Sequence, residues 1–196
     1  MKNRTAAFYN YFSPLYPLVD LVLKRQKKLL FEEVNRMAEG MLLEVGVGNG
    51  SHLSQYQKHK VTGIDTSATM LNVARKNKST NITLLEMSGE SLLFDDCTFD
   101  YVVLSHVIAV VDDADQLLQE VYRVLKPQGK VLILNHFTPN NLLRLVDSAF
   151  EPMAKLLHFK SFFRIEEIPS LKKFIRVKDV DVGMAAYFKL FIYQRQ

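Results

Sequence analysis

Three glycines and two acidic residues are spaced so that together they could hold a ligand that carries positive charge. Glu44 is followed by glycine at every second position, at Gly46, Gly48 and Gly50, directly behind the apolar run "MLLEV". Glycine costs backbone entropy, so such a run predicts that something approaches the main chain closely. Asp65 lies 21 residues after Glu44 and closes the next apolar run. Its two carboxylate oxygens can accept hydrogen bonds from two sugar hydroxyls.

Three classes of cofactor bind at a glycine turn behind a strand, and the sequence favours one of them. A phosphate-binding loop needs a Lys after its last glycine, and none follows Gly50. A dinucleotide-binding turn needs glycine or alanine where Ser51 stands, so it fits poorly. S-adenosylmethionine lacks phosphate but carries an ammonium and a sulfonium, which suit a carboxylate such as Glu44. A tight strand–helix turn with incidental glycines is the remaining alternative.

The segments that must position these residues alternate between strand-like apolar runs and helical spacing. This alternation predicts an α/β fold, in which a doubly wound and mostly parallel sheet of Rossmann-like type has helices on both faces. An amphipathic helix over 15–37 precedes the sheet, and a helix over 142–163 follows it. The predicted strands are 41–46, 61–65, 81–87, 99–105 and 129–137, with two C-terminal strands within 171–180 and 185–196, one of them antiparallel; the helical segments are 52–59, 67–78 and 113–126.

Length and composition predict a single domain. The 196 residues, 48% of them hydrophobic, can bury a sizeable core. We divide the domain into an N-terminal helical segment over 1–40, a cofactor-binding core over 41–137 and a substrate-side segment over 138–196. One cysteine excludes an internal disulfide and a cysteine-cluster metal site, and no metal is expected. No stretch resembles a secretory signal or is apolar for long enough to span a bilayer.

Four segments resemble successive motifs of one enzyme family. They read "LLEVGVGNG", "VTGIDTSATMLNVAR", "FDYVVLSHVIAVVDD" and "LQEVYRVLKPQGKVLILNHF", and they resemble the motifs of class I S-adenosylmethionine-dependent methyltransferases. The combination of "EVGVGNGSHLSQY", "SHVIAVVDD" and "NHF" with the tyrosine-rich start "AFYNYFSPLYPLVDLVL" is similar, more narrowly, to bacterial phospholipid N-methyltransferases. Members of that family convert phosphatidylethanolamine to phosphatidylcholine.

The resemblance implies roles for residues along one edge of the sheet. Glu44 and Gly46 would hold the methionine end of S-adenosylmethionine, and Asp65 the ribose. The other implied cofactor-binding residues are Val47, Gly48 and Gly50 along the cofactor, Thr66 and Met70 on the adenine side, Ser88, Gly89 and Glu90 after the third strand, and Ser105 and His106 beside the methyl group. The chain departs from the family pattern at Ser88, where Asp is frequent, at Pro17, where Asp usually follows Tyr16, and at Gln128, where Gly is usual.

Methyl transfer from a sulfonium is an in-line displacement that depends mainly on alignment of the two reactants. His106 is the candidate for contacting the acceptor head group, with a loop-capping role as the alternative. His136 closes the fifth strand and is a second candidate, with a structural role as the alternative. Tyr9 and Tyr16 could close over the cofactor or face an ammonium head group, or they could pack the N-terminal helix onto the sheet. The remaining histidines, expected at the surface or in packing, are His52, His59 and His158.

A lipid acceptor would require the protein to meet a bilayer, and the 15–37 helix offers the means. Its apolar stripe is edged by Lys24, Arg25, Lys27 and Lys28 and is expected to dock on anionic lipid; a plain cover for the sheet is the alternative. We therefore expect a cytoplasmic enzyme at the inner face of the membrane that methylates phosphatidylethanolamine and its mono- and dimethyl forms, with no nucleic-acid partner. The alternatives are methylation of a quinone precursor or another small apolar acceptor, and a cofactor-binding scaffold without turnover.

Overall fold

One mixed sheet forms the centre of the fold in residues 27–77, 81–136, 165–182 and 188–196, which are the residues that the computed structural model describes. Its strands are β1 (Met41–Val45), β2 (Lys60–Asp65), β3 (Ile82–Glu86), β4 (Phe99–Ser105), β5 (Leu125–His136), β6 (Phe174–Val182) and β7 (Phe188–Arg195). Their spatial order is β3-β2-β1-β4-β5-β7-β6. The first five run parallel, whereas β7 is antiparallel to both of its neighbours. The predicted doubly wound α/β sheet with an antiparallel C-terminal strand is confirmed.

Three helices in the described residues flank the sheet: α1 over 27–36, α2 (Ala68–Asn77) and α3 (Ala114–Val124). Helix α3 begins at Asp113, whose carboxylate accepts hydrogen bonds from the amides of Asp115 and Gln116, both at 3.0 Å. Such a cap satisfies amides that have no partner within the helix. The predicted apolar face of α3 is buried throughout and comprises Leu117, Leu118, Val121 and Val124.

The apolar core lies on both faces of the sheet, which is why the central strands read as nearly continuous apolar runs. On one face of the sheet, helix α3 packs against β4 residues such as Val102 and Leu104. Helices α1 and α2 pack on the other face, against Leu42 of β1 and Val103 of β4. Both faces are therefore closed by helices, and a ligand must bind at an edge of the sheet.

The connection from β1 to β2 differs from the predicted helical segment over 52–59. Only one 3-10 turn, Leu53–Gln55, forms there. The chain has nine residues between Gly50 and Lys60 in which to return to the amino end of β2. A strand of six residues such as β2 is about 20 Å long, whereas nine helical residues would cover only about 13 Å. The segment therefore consists of turns, this one 3-10 turn and irregular chain, and the helical prediction was wrong.

The apolar stripe of the N-terminal helix covers the sheet over the part that the structure describes. Leu30 and Val34 are fully buried, and Phe31 is 6% exposed. Lys28 is on the outer side, with its Nζ 3.8 Å from an oxygen of Glu32. The earlier part of the predicted helix, including Lys24 and Arg25, lies outside the described residues. Among the helices that are described, none is long and apolar enough to cross a membrane.

Candidate cofactor site

The glycine turn after β1 forms a crease at the carboxyl edge of the sheet. Gly46, Gly48 and Gly50 all have positive φ angles, of 74°, 55° and 68°, which side-chain-bearing residues rarely adopt. The amides of Gly46 and Val47 donate to the carbonyl of Ile64 on β2, at 2.7 and 3.0 Å. These bonds fix the turn against the end of the neighbouring strand.

Gly46 and Gly48 lack side chains for different reasons. A Cβ atom on Gly46 would lie 2.4 Å from Cγ2 of Val107, so the loop after β4 needs that space. A Cβ atom on Gly48 would meet no protein atom within 4 Å. Its missing side chain therefore leaves open space in front of the main chain, where a ligand can approach the backbone closely.

Asp65 closes β2 and is bound to the crease. Its Oδ2 accepts a hydrogen bond from the amide of Gly48, and its Oδ1 accepts one from the amide of Ser67, both at 2.8 Å. Burial raises the pKa of Asp65; the hydrogen bonds from the Ser67 and Gly48 amides lower it only in part, and the negative charge of Glu44 raises it further. The pKa therefore stands above its ordinary value, as expected for a carboxylate without a cationic partner.

Glu44 lies on β1 below the crease and is almost fully buried, at 1% exposure. Its Oε1 is 2.8 Å from Nε2 of His52, and its Oε2 accepts a hydrogen bond of 2.9 Å from the hydroxyl of Tyr56. Burial raises the pKa of Tyr56 well above its ordinary value, and the charge of Glu44 and the hydrogen bond to it act in the same direction. Tyr56 consequently remains a hydroxyl donor to Glu44 at physiological pH.

The loop after β3 carries three of the predicted cofactor residues. The hydroxyl of Ser88 accepts a hydrogen bond of 3.2 Å from the amide of Glu90. An oxygen of Glu90 in turn accepts one of 2.5 Å from the amide of Asp113, the cap of α3. Gly89 packs closely, because a Cβ there would lie 2.7 Å from Cγ1 of Val45. This loop is thus tied to the start of α3 at the same edge of the sheet.

The end of β4 carries the residues predicted beside the methyl group. His106 has a φ of 59°, its amide donates to the carbonyl of Leu134 at 2.7 Å, and its ring meets Phe188 edge-on at 5.8 Å. The Ser105 hydroxyl is buried without a hydrogen-bond partner in the described part of the chain. β4, β5 and β7 therefore meet at His106, and the buried Ser105 hydroxyl lies beside it.

The remaining predicted site residues add less to the description of the site. Thr66 is half-buried, whereas Val47 and Met70 are buried, so Val47 offers its main chain rather than its side chain to the crease. His136 ends β5, but its side chain lies outside the described residues. Also outside them are Tyr9, Tyr16, Pro17, His158 and the predicted helix over 142–163.

Two residues of this edge were not among the predicted site residues. His52 was expected at the surface or in packing, but its side chain is only 10% exposed and contacts Glu44. Tyr56 was assigned no role. The one available signal was a histidine and a tyrosine in a short polar connection directly behind the glycine turn. The third histidine in this region, His59, packs as expected, with its Nε2 3.0 Å from the carbonyl oxygen of Val34.

The charge at this edge matches a cation-bearing cofactor. In the described residues neither Glu44 nor Asp65 forms an ion pair with Lys or Arg. The crease beside them is open at Gly48. An ammonium or sulfonium would therefore meet uncancelled negative charge, whereas a pyrophosphate would be repelled. These residues fit S-adenosylmethionine.

Known proteins are similar to this chain in sequence and in architecture. Residues 43–133 match the family model of a methyltransferase domain. A phosphatidylethanolamine N-methyltransferase of Cereibacter sphaeroides is 33% identical over 164 residues, or 80% of this chain and 81% of that protein. A demethylmenaquinone methyltransferase of Shouchella clausii (strain KSM-K16) is 34% identical over 151 residues, or 72% of this chain and 60% of that protein. The crystal structure of an S-adenosylmethionine-dependent methyltransferase from Thermotoga maritima has a TM-score of 0.73 at 22% identity and covers 98% of this chain and 100% of that one.

The parallel sheet has a single reversed strand β7, a glycine crease and two acids that pair with no Lys or Arg in the described residues. Together these features are typical of an α/β fold of the methyltransferase type. The relative that is 33% identical over four-fifths of both chains shows the family. This chain belongs to the class I S-adenosylmethionine-dependent methyltransferases, and S-adenosylmethionine is its cofactor.

Proposed function

We propose that this methyltransferase transfers methyl groups to the amino head group of phosphatidylethanolamine and of its mono- and dimethyl forms. The observation that carries the proposal is the 33% identity to a phosphatidylethanolamine N-methyltransferase over 80% of this chain and 81% of that protein. The cofactor-binding core alone would not distinguish one acceptor from another. The match spans 81% of the phospholipid enzyme, against 60% of the demethylmenaquinone methyltransferase.

The cofactor side of the reaction uses the crease and its two acids. In this proposal Asp65 accepts hydrogen bonds from the ribose hydroxyls, and the open main chain at Gly48 faces the methionine part. Glu44 supplies the negative charge that attracts the ammonium group. When bound, the cofactor supplies an electrophilic methyl group on its sulfonium. The task of the protein is to hold that group in line with the acceptor nitrogen and to exclude water.

The acceptor side of the reaction is at the end of β4. A protonated amine has no lone pair, so it must lose a proton before its nitrogen can attack the methyl group. We assign that contact to His106, whose imidazole accepts the proton. The amide of His106 is held by Leu134 and its ring by Phe188, so its position is set by three strands. Ser105 offers a buried hydroxyl beside it.

The experiment is methyl transfer from radiolabelled S-adenosylmethionine to vesicles that contain phosphatidylethanolamine. Mono-, di- and trimethylated lipid should appear in succession. The Asp65→Ala variant serves as a control that cannot use the cofactor. If no phosphatidylethanolamine is labelled but demethylmenaquinone in parallel vesicles is, the quinone alternative replaces the proposal. Tight cofactor binding without transfer to any acceptor in a lipid extract would identify a scaffold.

The quinone alternative rests on a separate observation. A demethylmenaquinone methyltransferase is 34% identical over 72% of this chain, although the match spans only 60% of that protein. Both acceptors carry long apolar chains and reside in membranes, so both require access to a bilayer. The vesicle assay with each acceptor in turn separates them.

Membrane docking through the N-terminal helix is part of the proposal. In the described part of this helix Leu30 and Val34 are buried against the sheet, so the docking is assigned to its basic residues. Such residues are attracted to anionic lipid, and salt weakens that attraction. Replacing the helix cations Lys24, Arg25, Lys27 and Lys28 with Gln should abolish sedimentation with anionic vesicles at low salt. Four exposed lysines elsewhere provide a control of equal charge: Lys58, Lys60, Lys76 and Lys172. Unchanged sedimentation of the helix variant, or equal loss in the control, would remove docking by this helix.

A further inference from the structure

The environment of Glu44 is unusual for a buried acid. Both of its oxygens are occupied, Oε1 by Nε2 of His52 at 2.8 Å and Oε2 by the hydroxyl of Tyr56 at 2.9 Å. A buried carboxylate is costly unless it is hydrogen-bonded or paired with a cation. Here the described residues supply hydrogen bonds but no Lys or Arg. The carboxylate is therefore held in place without being cancelled by a fixed cation.

A third aromatic ring holds the two donors. Phe31 of α1 stacks on the ring of His52 with 5.7 Å between centroids and an interplanar angle of 28°. It also meets Tyr56 edge-on, at 5.1 Å. Tyr56 is only 3% exposed, and Phe31 only 6%. The rings that bind Glu44 are thus fixed from the side of α1, the helix that precedes β1.

We propose that His52 and Tyr56 are positioning residues, which hold Glu44 so that its charge is directed to the ammonium group of the cofactor, with Phe31 fixing both rings. The inference rests on the cofactor of the family and not on the proposed phospholipid acceptor. A flexible or protonated Glu44 would attract the ammonium less strongly, whereas a Lys or Arg in place of the two rings would cancel the charge.

The Tyr56→Phe variant tests this inference with two ligands. S-adenosylhomocysteine has the ammonium group, whereas 5′-deoxy-5′-methylthioadenosine has the same adenosine and a thioether sulfur but lacks the amino acid part. Calorimetry should show that Tyr56→Phe weakens binding of S-adenosylhomocysteine by about tenfold, as for loss of one hydrogen bond to a charged group. Binding of methylthioadenosine should stay within about twofold of the wild type, because Glu44 has no ammonium to meet in that ligand.

Two further variants separate positioning from general packing. The His52→Gln variant keeps a side-chain N–H donor and should retain most of the affinity for S-adenosylhomocysteine, whereas His52→Ala should lose about as much as Tyr56→Phe. Tyr193→Phe is the matched control, since Tyr193 is buried and its hydroxyl has no hydrogen-bond partner within the described part of the chain. It should bind both ligands as the wild type does.

The inference fails if Tyr56→Phe weakens both ligands equally, because a purely structural role would do so, or if it weakens neither. Should Tyr56→Phe not fold, the comparison of His52→Gln with His52→Ala decides by the same criterion. None of these measurements includes an acceptor. Their outcome is therefore independent of whether phosphatidylethanolamine is the substrate.

Discussion

The two edges of the sheet treat their carboxylates in opposite ways. At the amino edge, Asp100 on β4 accepts a hydrogen bond from the amide of Met41 and forms an ion pair with Lys126, each at 2.8 Å. At the carboxyl edge, Glu44 and Asp65 have no Lys or Arg partner in the described residues. Lys126 compensates the charge at one edge, whereas no Lys or Arg in the described residues does so at the other, where we propose that the cofactor binds.

The pKa shifts follow the same division. Burial raises the pKa of Asp100, but the hydrogen bonds from Lys126 and Met41 and the charge of Lys126 outweigh it and hold the pKa below its ordinary value. Burial also raises the pKa of Asp65, and there the amide hydrogen bonds do not outweigh it. Ionised Asp100 therefore stabilises the fold, whereas ionised Asp65 destabilises the fold in the absence of ligand. Acids of the first kind stabilise the fold, and those of the second kind are the ones that we propose for cofactor binding.

The largest expected effect comes from removing Asp65, one of the two acids without a Lys or Arg partner in the described residues. Asp65→Ala should weaken S-adenosylhomocysteine binding by roughly 100-fold, because two hydrogen bonds from ribose hydroxyls to a charged group are lost. Its midpoint of thermal unfolding should not fall, since a desolvated charge is removed along with two hydrogen bonds. Calorimetry and thermal unfolding measure the two quantities. A large loss of stability with unchanged affinity would reverse the roles of the two edges.

The pH dependence of binding should report Asp65. Below its raised folded-state pKa, Asp65 is protonated and can no longer accept from both hydroxyls, so affinity should fall by about tenfold for each further pH unit. Stability should change in the opposite direction, because the contribution of Asp65 is present at low pH and is lost as pH rises through the raised pKa. Calorimetry at stepped pH gives the slope. The same slope in Asp65→Asn would assign the titration to another group.

The open space at Gly48 should matter to the ligand more than to the fold. Gly48→Ala should weaken cofactor binding by about tenfold through its intruding methyl group, at a cost of about 1 kcal/mol for the left-handed backbone. Gly46→Ala is the contrast, since its Cβ meets Val107 and should lower the free energy of unfolding by about 2 kcal/mol or more. Equal losses of affinity and stability in the two variants would contradict this distinction.

The smallest expected effect is at the amino edge. Asp100→Ala should lower the free energy of unfolding by about 1 kcal/mol, because the Met41 amide and Lys126 lose their partner at a partly exposed site. Affinity for the cofactor should stay within about twofold. Urea denaturation and calorimetry measure both. The wild type should lose the same contribution as pH falls through the lowered pKa of Asp100, and an affinity loss in this variant would show that the edges are coupled.

Local sequence patterns were sufficient to predict most strands and helices of the described fold. The run "FDYVVLS" was predicted as a strand over 99–105 and forms β4 (Phe99–Ser105), because a short apolar run between turns has few other ways to be buried. The helix predicted over 113–126 forms as α3 and ends at Val124, after which β5 begins. Gln128, where the family usually has Gly, adopts a φ of 65° within β5, where the pairing of β4 with β5 shifts register between Leu125 and Lys130.

The segment over 52–59 could not be predicted in the same way. Its apparent helical spacing reflects two side chains, His52 and Tyr56, that turn towards Glu44. Their direction depends on how the connection crosses the edge of the sheet and on Phe31 of α1, and neither is encoded within the segment.

The sequence by itself determined the strands of the described sheet, helices α2 and α3, the glycine turn and the acid at the end of β2, because each depends on periodicity or on residues adjacent in the chain. Only the tertiary structure decided which acids are left without a cation and which rings hold Glu44. Those properties depend on pairs such as Met41 with Asp100 and Phe31 with His52. Such pairs are brought together by strand order and helix packing, and a single sequence carries no local signal for them.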